Sequence, residues 1–293
     1  MHKWLFFCIF AVKIEQMEDF FSRSEALLSA EAMEKLREKR VILFGVGGVG
    51  SWCAEALVRT GLKHLTIVDD DVVQASNVNR QLPATRETLG RPKVDVLKER
   101  LLTINPEAEI VALQQRYECT MNNVQCTKES FDFQLSTFDY IIDAIDSVAD
   151  KTDLIIRASR VRGAKVFSSM GAALRFDPTQ VRVAELFDVK GDALAKAVRA
   201  RMKRLEMRPY KKVKCVYSLE QAERIQSTEY RVQTELDGTA APIKGSLMQV
   251  TAVFGCVLAG LVIEDVQKGR AGRHKWVKKS EENTLFKDEN LEI

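Results

Sequence analysis

The sequence predicts an α/β fold built on a doubly wound, mostly parallel sheet, and three observations carry that prediction. Short β-rich runs alternate with runs of helical period, the pattern that joins parallel strands by crossovers. The first β-rich run leads directly into a glycine-rich loop and then a helix. The chain of 293 residues is 46% hydrophobic and 29% charged, which excludes a disordered chain and leaves apolar mass for one large core.

The strands are expected at residues 41–44, 65–68, 109–113, 140–143, 165–168 and 181–184. Between the first two, residues 49–60 place Trp52, Ala56 and Leu57 at helical spacing. Residues 92–102 form a second helix, with Pro92 at its first position and Val94, Leu97 and Leu101 on one face. Residues 151–161 make a third. Residues 250–263, VTAVFGCVLAGLVI, suit a buried or interface helix and fall short of the roughly 20 residues that a bilayer span needs. Gly255 and Gly260 there favour close helix packing, and no integral membrane insertion is expected.

The ends differ from the middle. Trp4 to Val12 is an unbroken apolar run behind His2 and Lys3, without the small-residue cleavage site of a signal peptide. Residues 1–16 are therefore expected to be a leader outside the folded unit, the product of a misplaced start codon; a peripheral membrane anchor is the alternative. The folded unit is expected over residues 17–267, with its Rossmann-like nucleotide-binding half at about 40–150 and a charged tail at 268–293. The second half is basic. From residue 190 to 214, ten Lys and Arg face only Asp192 and Glu206, although the whole chain carries just +3. Residues 219–245 are polar and poorly periodic and read as a mobile loop, and Lys268 to Lys279 form a second basic cluster.

Six cysteines (Cys8, Cys53, Cys119, Cys126, Cys215 and Cys256) are scattered without a CxxC pair. That excludes a zinc tetrathiolate and a thioredoxin-like motif, and points to a reduced, cytoplasmic protein.

The chemistry concentrates in the first half. Strand 41–44 opens into Gly45-Val46-Gly47-Gly48-Val49-Gly50, where Gly45, Gly47, Gly48 and Gly50 let the backbone turn tightly against a phosphate at a helix N-terminus. The second strand ends in Asp69-Asp70-Asp71, where a carboxylate can accept bonds from ribose hydroxyls. This much suits a nicotinamide-dependent dehydrogenase as well as an ATP user. The loop Ser76-Asn77-Val78-Asn79-Arg80-Gln81 and the run Gly90-Arg91-Pro92-Lys93 separate the two. A lysine in the first turn of a helix is disfavoured by the dipole unless it faces an anion, so Arg80 and Lys93 are placed on a triphosphate. Strand 140–143 ends near Asp146, which can hold Mg²⁺ against phosphate oxygens; Asp143 is either a partner in that task or structural.

The segments GVGGVGSW, VDDDVVQASNVNRQ, GRPKV and DAIDS, in this order, resemble the adenylating domain of the ubiquitin-activating-enzyme superfamily, which includes the activators of small sulfur-carrier proteins. Many of those activators carry two CxxC pairs around zinc, which this chain lacks. The continuation Ser168-Ser169-Met170-Gly171-Ala172-Ala173, then Asp177-Pro178-Thr179, a basic helix and Lys214-Cys215-Val216-Tyr217-Ser218, resembles the tRNA threonylcarbamoyladenosine dehydratase family.

That resemblance implies ATP-dependent activation of the threonyl carboxylate on a modified adenosine beside the anticodon, then ring closure with release of AMP. The carbamoyl group is already on the substrate, so closure is intramolecular and needs no added nucleophile. ATP and Mg²⁺ are the implied cofactors, with Arg80, Lys93 and Asp146 stabilising the phosphoryl charge. Asp69 or Asp71 would bind ribose, supported by Asn77 and Gln81. Arg23 would reach the ATP of a partner subunit in a homodimer. Cys215 is a candidate acceptor of an acyl group or sulfur, with a buried structural cysteine as the alternative. The basic segment within about 188–245 would contact tRNA, and a sulfur-relay protein is left open as a further partner. The competing readings are adenylation of the C-terminal carboxylate of a small ubiquitin-like sulfur carrier, an NAD(P)-dependent dehydrogenase, and a non-catalytic tRNA-binding scaffold.

Overall fold

Alternating apolar residues in the strands force two cores, one on each face of the sheet. The computed structural model describes residues 20–118, 133–221, 231–233, 240–242 and 245–268. Seven strands form the sheet: β1 (Arg40–Phe44), β2 (His64–Val68), β3 (Glu109–Leu113), β4 (Tyr140–Asp143), β5 (Lys165–Ser169), β6 (Val181–Glu185) and β7 (Lys214–Ser218), in the order β3-β2-β1-β4-β5-β7-β6. All pairings are parallel except that of β6 with β7. Val41, Leu43, Leu65, Ile67 and Ile142 point to one face, and Ile42, Phe44, Val68 and Ile141 to the other. With both faces covered, the strands read as near-continuous apolar runs.

The first face is covered by α3 (Gly50–Thr60), α4 (Lys93–Ile104) and α7 (Met248–Lys268), the second by α5 (Val148–Arg160) and α6 (Ala193–Arg204). Helices α1 (Ser22–Leu28) and α2 (Ala30–Glu38) precede β1. The side chains of Leu28, Ala32 and Met33 form a small cluster with Phe21 and Ile263 of α7. A two-stranded antiparallel ribbon, β8 (Arg231–Gln233) and β9 (Ala240–Pro242), stands apart from the main sheet.

All six expected strands and the expected helices are present, with differences that have physical causes. Pro92 caps α4 and is not its first residue: its ψ of 130° is extended, and it bridges Val72. Helix α5 starts three residues early because the Ser147 side chain accepts from Asp150 N (3.4 Å), a cap the apolar spacing does not reveal. Strand β7, read as a motif after the basic segment and not as a strand, is buried between β5 and β6. Part of the expected loop 219–245 is the β8–β9 ribbon. The leader 1–16, Cys8, Cys119, Cys126 and the tail beyond Lys268 lie outside the described residues.

Helix α7 runs for 21 residues, longer than the apolar stretch that signals it. It is long and apolar enough to cross a membrane, yet more than half of its most apolar window is buried in the protein. Gly255 explains the fit: a Cβ there would stand 2.4 Å from Val49 O and 2.8 Å from Cys53 N, so α7 lies directly on the start of α3. Gly260 faces open space, with no atom within 4 Å of an added Cβ.

The two glycines should therefore respond oppositely to the same change. Gly255→Ala overpacks the α3–α7 contact and should cost about 1–3 kcal/mol. Gly260→Ala should be neutral or stabilising by up to about 1 kcal/mol through helix propensity. Urea unfolding of both variants checks this; equal effects would refute the packing account.

Candidate functional site

The carboxyl ends of parallel strands are where backbone pairing stops and loops diverge, and here those loops enclose a cleft of about 650 Å³. Its walls come from the loops after β1, β2, β3, β4 and β5 and from the first turns of α4, α5, α6 and α7.

The loop after β1 is fixed by close backbone approach. Gly45 has φ +85°, and a Cβ on it would meet Ala144 O at 2.7 Å; a Cβ on Gly50 would stand 1.8 Å from Gly45 O. Only glycine meets both demands. Gly45 N donates to Val68 O (2.8 Å) and Ala144 N to Phe44 O (2.8 Å), extending the ladder into the loop. Gly47, Gly48 and Val49 line the cleft, and α3 begins without a side-chain cap or an acid in its first turn. Its positive end therefore faces the cleft uncompensated.

The polar loop after β2 is tied to this one. Trp52 Nε1 donates to Arg80 O (3.1 Å), Ser51 Oγ to Gly47 O (2.6 Å), and Leu82 N to Ser51 Oγ (3.3 Å). Arg80 is half-buried in the cleft wall, and Nη1 donates to Ser76 O (2.8 Å) and Asn79 Oδ1 (2.9 Å). Desolvation lowers its pKa from the ordinary guanidinium value. Gln81 is 8% exposed and lines the cleft, and its Oε1 has no partner among the described residues. A buried acceptor left open at a cleft wall fits a ligand donor.

Asp69 is the acid closest to the glycine loop. Its Oδ2 accepts from Val46 N (2.7 Å) and its Oδ1 from Asp71 N (2.9 Å). Burial pushes its carboxyl up, against the lowering by those amides and by Lys93. Lys93, buried in the first turn of α4, does face an anion: its Nζ lies 2.6 Å from Asp71 Oδ2. The ligand atoms of Asp69, Asp70 and Asp71 lie within 4.8 Å of one another, but Lys93 and two amides already occupy that cluster. Asp146 is exposed at the cleft, in the loop after β4. One carboxylate beside a phosphate cradle is a donor set that suits Mg²⁺, which keeps most of its shell as water and phosphate oxygen.

Beneath this edge lies a group of residues that spacing did not reveal. Asp143 and Lys151 are both fully buried and pair at 2.6 Å. Ser168 Oγ donates to the same carboxylate (2.6 Å), Ile145 N to its other oxygen (3.0 Å), and Lys151 Nζ to Ser169 O (2.8 Å). Asp143 is thus structural. The signal for Lys151 is a lysine on an otherwise apolar helix face, eight residues after Asp143.

Nine of the expected residues meet around the cleft: Gly45, Gly47, Gly48, Asp69, Asp71, Arg80, Gln81, Lys93 and Asp146. Four do not. Gly50 is buried beneath the loop. Asn77 holds the 3₁₀ turn Ala75–Asn77 by accepting from Gln74 N (3.0 Å). Arg23 is exposed on α1. Cys215 is wholly buried on β7, and desolvation pushes its thiol far above the ordinary value, which keeps it protonated; this is the structural alternative stated for it. The cleft also holds Arg175 and Asp192, which the sequence reading did not select.

Known proteins share this fold. The ThiF family matches residues 21–281. The tRNA threonylcarbamoyladenosine dehydratase of Bacillus subtilis is 36% identical over 255 residues, covering 85% of this chain and 94% of that protein. The dehydratase of the same name from Escherichia coli is 32% identical over 257 residues, covering 81% and 89%. A crystal structure of an Escherichia coli tRNA N6-threonylcarbamoyladenosine dehydratase in complex with ATP superposes with a TM-score of 0.69 at 29% identity, covering 87% of this chain and 97% of that one.

The buried pair makes a sharp prediction. Lys151→Met should cost about 3–5 kcal/mol, because it strands a carboxylate in the interior. Asp143→Asn with Lys151→Met should cost less than the single change, since no unpaired charge remains. Denaturant unfolding measures both; a single-variant loss under about 1 kcal/mol would count against the pair's role.

Proposed function

The chain belongs to the ThiF family, and from that premise we propose that it adenylates the threonyl carboxylate of threonylcarbamoyladenosine in tRNA with ATP and closes it into the cyclic, dehydrated form. The observation that carries the proposal is the cleft: a glycine cradle and an uncapped helix end face Arg80, Lys93 and Asp146, and the basic helix α6 begins at the same opening.

A carboxylate is a poor electrophile because its oxygen is a bad leaving group. When a carboxylate oxygen bonds to the α-phosphorus of ATP, the bond to pyrophosphate breaks and the acyl group gains AMP as its leaving group. The carbamoyl group already on the substrate then attacks the acyl carbon and AMP departs. Negative charge gathers on phosphoryl oxygens in the first step. Arg80 and Lys93 are the cations set to meet it, and the loop amides add donors. Lys93 would exchange part of its bond to Asp71 for phosphate. Asp146 would hold Mg²⁺, which supplies charge neutralisation at the phosphates when bound. Asp69, held by two amides, and Gln81, with its open acceptor, would take the ribose.

The substrate's tRNA body is assigned to the exposed cations of α6 and the segment after it. Lys196, Lys203, Arg204, Arg208 and Lys212 are exposed, while Ala193 and Leu194 at the start of the helix line the cleft. A helix that starts at the reaction site and carries cations outward suits a polyanion whose modified base enters the cleft. The protein would act in the cytoplasm as a homodimer. Arg23, exposed and outside its own chain's cleft, would act on the partner's ATP.

The decisive measurement is mass spectrometry of tRNA nucleosides from a deletion strain: cyclic threonylcarbamoyladenosine should disappear, and its persistence refutes the function. Asp146→Asn and Lys93→Met should each lower turnover about 10²–10³-fold without unfolding the protein. Lys203→Glu with Arg204→Glu should weaken tRNA binding and flatten its salt dependence while ATP affinity stays constant. Mixing Arg23→Ala subunits with Asp146→Asn subunits should restore part of the activity; no restoration argues against action in trans.

A further inference from the structure

The wall of the cleft after β5 carries a cation that the nucleotide assignment leaves unused. Arg175 is 3% exposed and lines the cleft. Its Nε and Nη1 have no partner among the described residues. Its one ionic neighbour among the described residues, Asp192 Oδ2, stands 3.7 Å from Nη2. Asp192 is already committed, since it accepts from Ala195 N (2.8 Å) as the cap of α6 and from Gly171 N (3.1 Å). It balances the guanidinium charge without filling its donors. A buried guanidinium with open N–H groups is costly unless a ligand completes it.

The loop is built to hold Arg175 there. Leu174, its neighbour, has φ +60°, a left-handed conformation that side chains other than glycine rarely take. The strain is held by Leu174 N donating to Gly245 O (2.9 Å) on one side and by the Glu220 carboxylate accepting from Phe176 N (2.9 Å) and Asp177 N (3.0 Å) on the other.

The sheet order says what the open donors meet. Along the carboxyl edge the sequence of strands is β2, β1, β4, β5. These ends carry Asp69, the glycine cradle, Asp146 and the Arg175 loop in turn. With neighbouring strands about 4.8 Å apart, the end of β5, where the Arg175 loop starts, lies some three spacings from the end of β2 that carries Asp69. A nucleotide with its ribose at β2 and its α-phosphate at the β1 cradle leaves the β5 side of the cleft free for the second substrate. We infer that Arg175 binds the substrate carboxylate, holding one oxygen with its planar fork while the other is turned toward the α-phosphorus. This rests on the adenylation reading above. Arginine suits the task because its fork matches a carboxylate and it keeps its proton throughout the step.

The test uses the whole protein loaded with ATP. Free N6-threonylcarbamoyladenosine and its carboxamide analogue are compared as competitors of modified tRNA. The wild type should prefer the acid by about 10- to 100-fold, the range of a charge-assisted hydrogen-bonded contact. Arg175→Met should abolish that preference, Arg175→Lys should recover part of it, and ATP affinity by calorimetry should stay within about twofold of the wild type, as expected for a contact made to the other substrate. If Arg175→Met does not fold, Arg175→Gln and Arg175→Lys carry the comparison. An unchanged preference in a folded variant overturns the inference. So does a tenfold loss of ATP affinity with the preference intact, which would assign Arg175 to the nucleotide. A wild-type protein that binds ATP yet does not turn over modified tRNA overturns the function itself, and this assignment with it.

Discussion

A lysine ammonium and an aspartate carboxylate, both withdrawn from water, sit under the carboxyl edge of the sheet, and the site above depends on them. Asp143 ends β4, Lys151 lies one turn into α5, and Ser168 and Ser169 end β5. The pair therefore ties three elements at the level where their loops depart. Asp143 also accepts from Ile145 N, which shapes the turn that presents Asp146, and Lys151 grips Ser169 O at the root of the loop that carries Arg175. Such a pair need not add net stability over an apolar replacement, because desolvation offsets most of the attraction. Its consequence is geometric: a carboxylate with all its partners fixed cannot drift, so the loops above start from fixed points.

The second constraint is steric. Gly45, Gly50 and Gly255 each stand where a Cβ would strike a backbone carbonyl. Together they press the phosphate-facing loop between the end of β4 on one side and α7 on the other. The helix that looks most like a membrane span is for this reason part of the support of the cleft. It backs the first turn of α3 through Gly255, and its Thr251 approaches Gly48 and lines the cleft. The long apolar run serves core packing, and the chemistry stays at the loop it supports.

Much of the fold was legible because it follows from local pattern. Strands buried on both faces must be apolar throughout, and helices between them must carry one apolar stripe, so the alternation was visible in the amino acids. What escaped was decided by the partner each group takes in the folded chain. Strand β7 is three apolar residues between Lys214 and Ser218, too short to stand out from a basic segment until β5 and β6 flank it. Asn77 sits in a polar loop beside Arg80 and Gln81, yet its side chain closes its own turn while theirs meet the cleft. Cys215 lies within a recognisable motif, but the alternation of β7 turns it into the core.

By itself the sequence determined the α/β class, the phosphate-facing glycine loop, and the acids and cations that gather around it, because each is written in contiguous residues whose spacing sets their geometry. It also determined the family, through the order of those segments. Only the tertiary structure decided which polar groups are spent on one another and which remain open. Lys93 is engaged by Asp71 and Lys151 by Asp143, whereas Arg175 keeps donors and Gln81 an acceptor without partners among the described residues. That distinction depends on which groups the folded chain brings together and on burial, neither of which leaves a period or a motif in the chain.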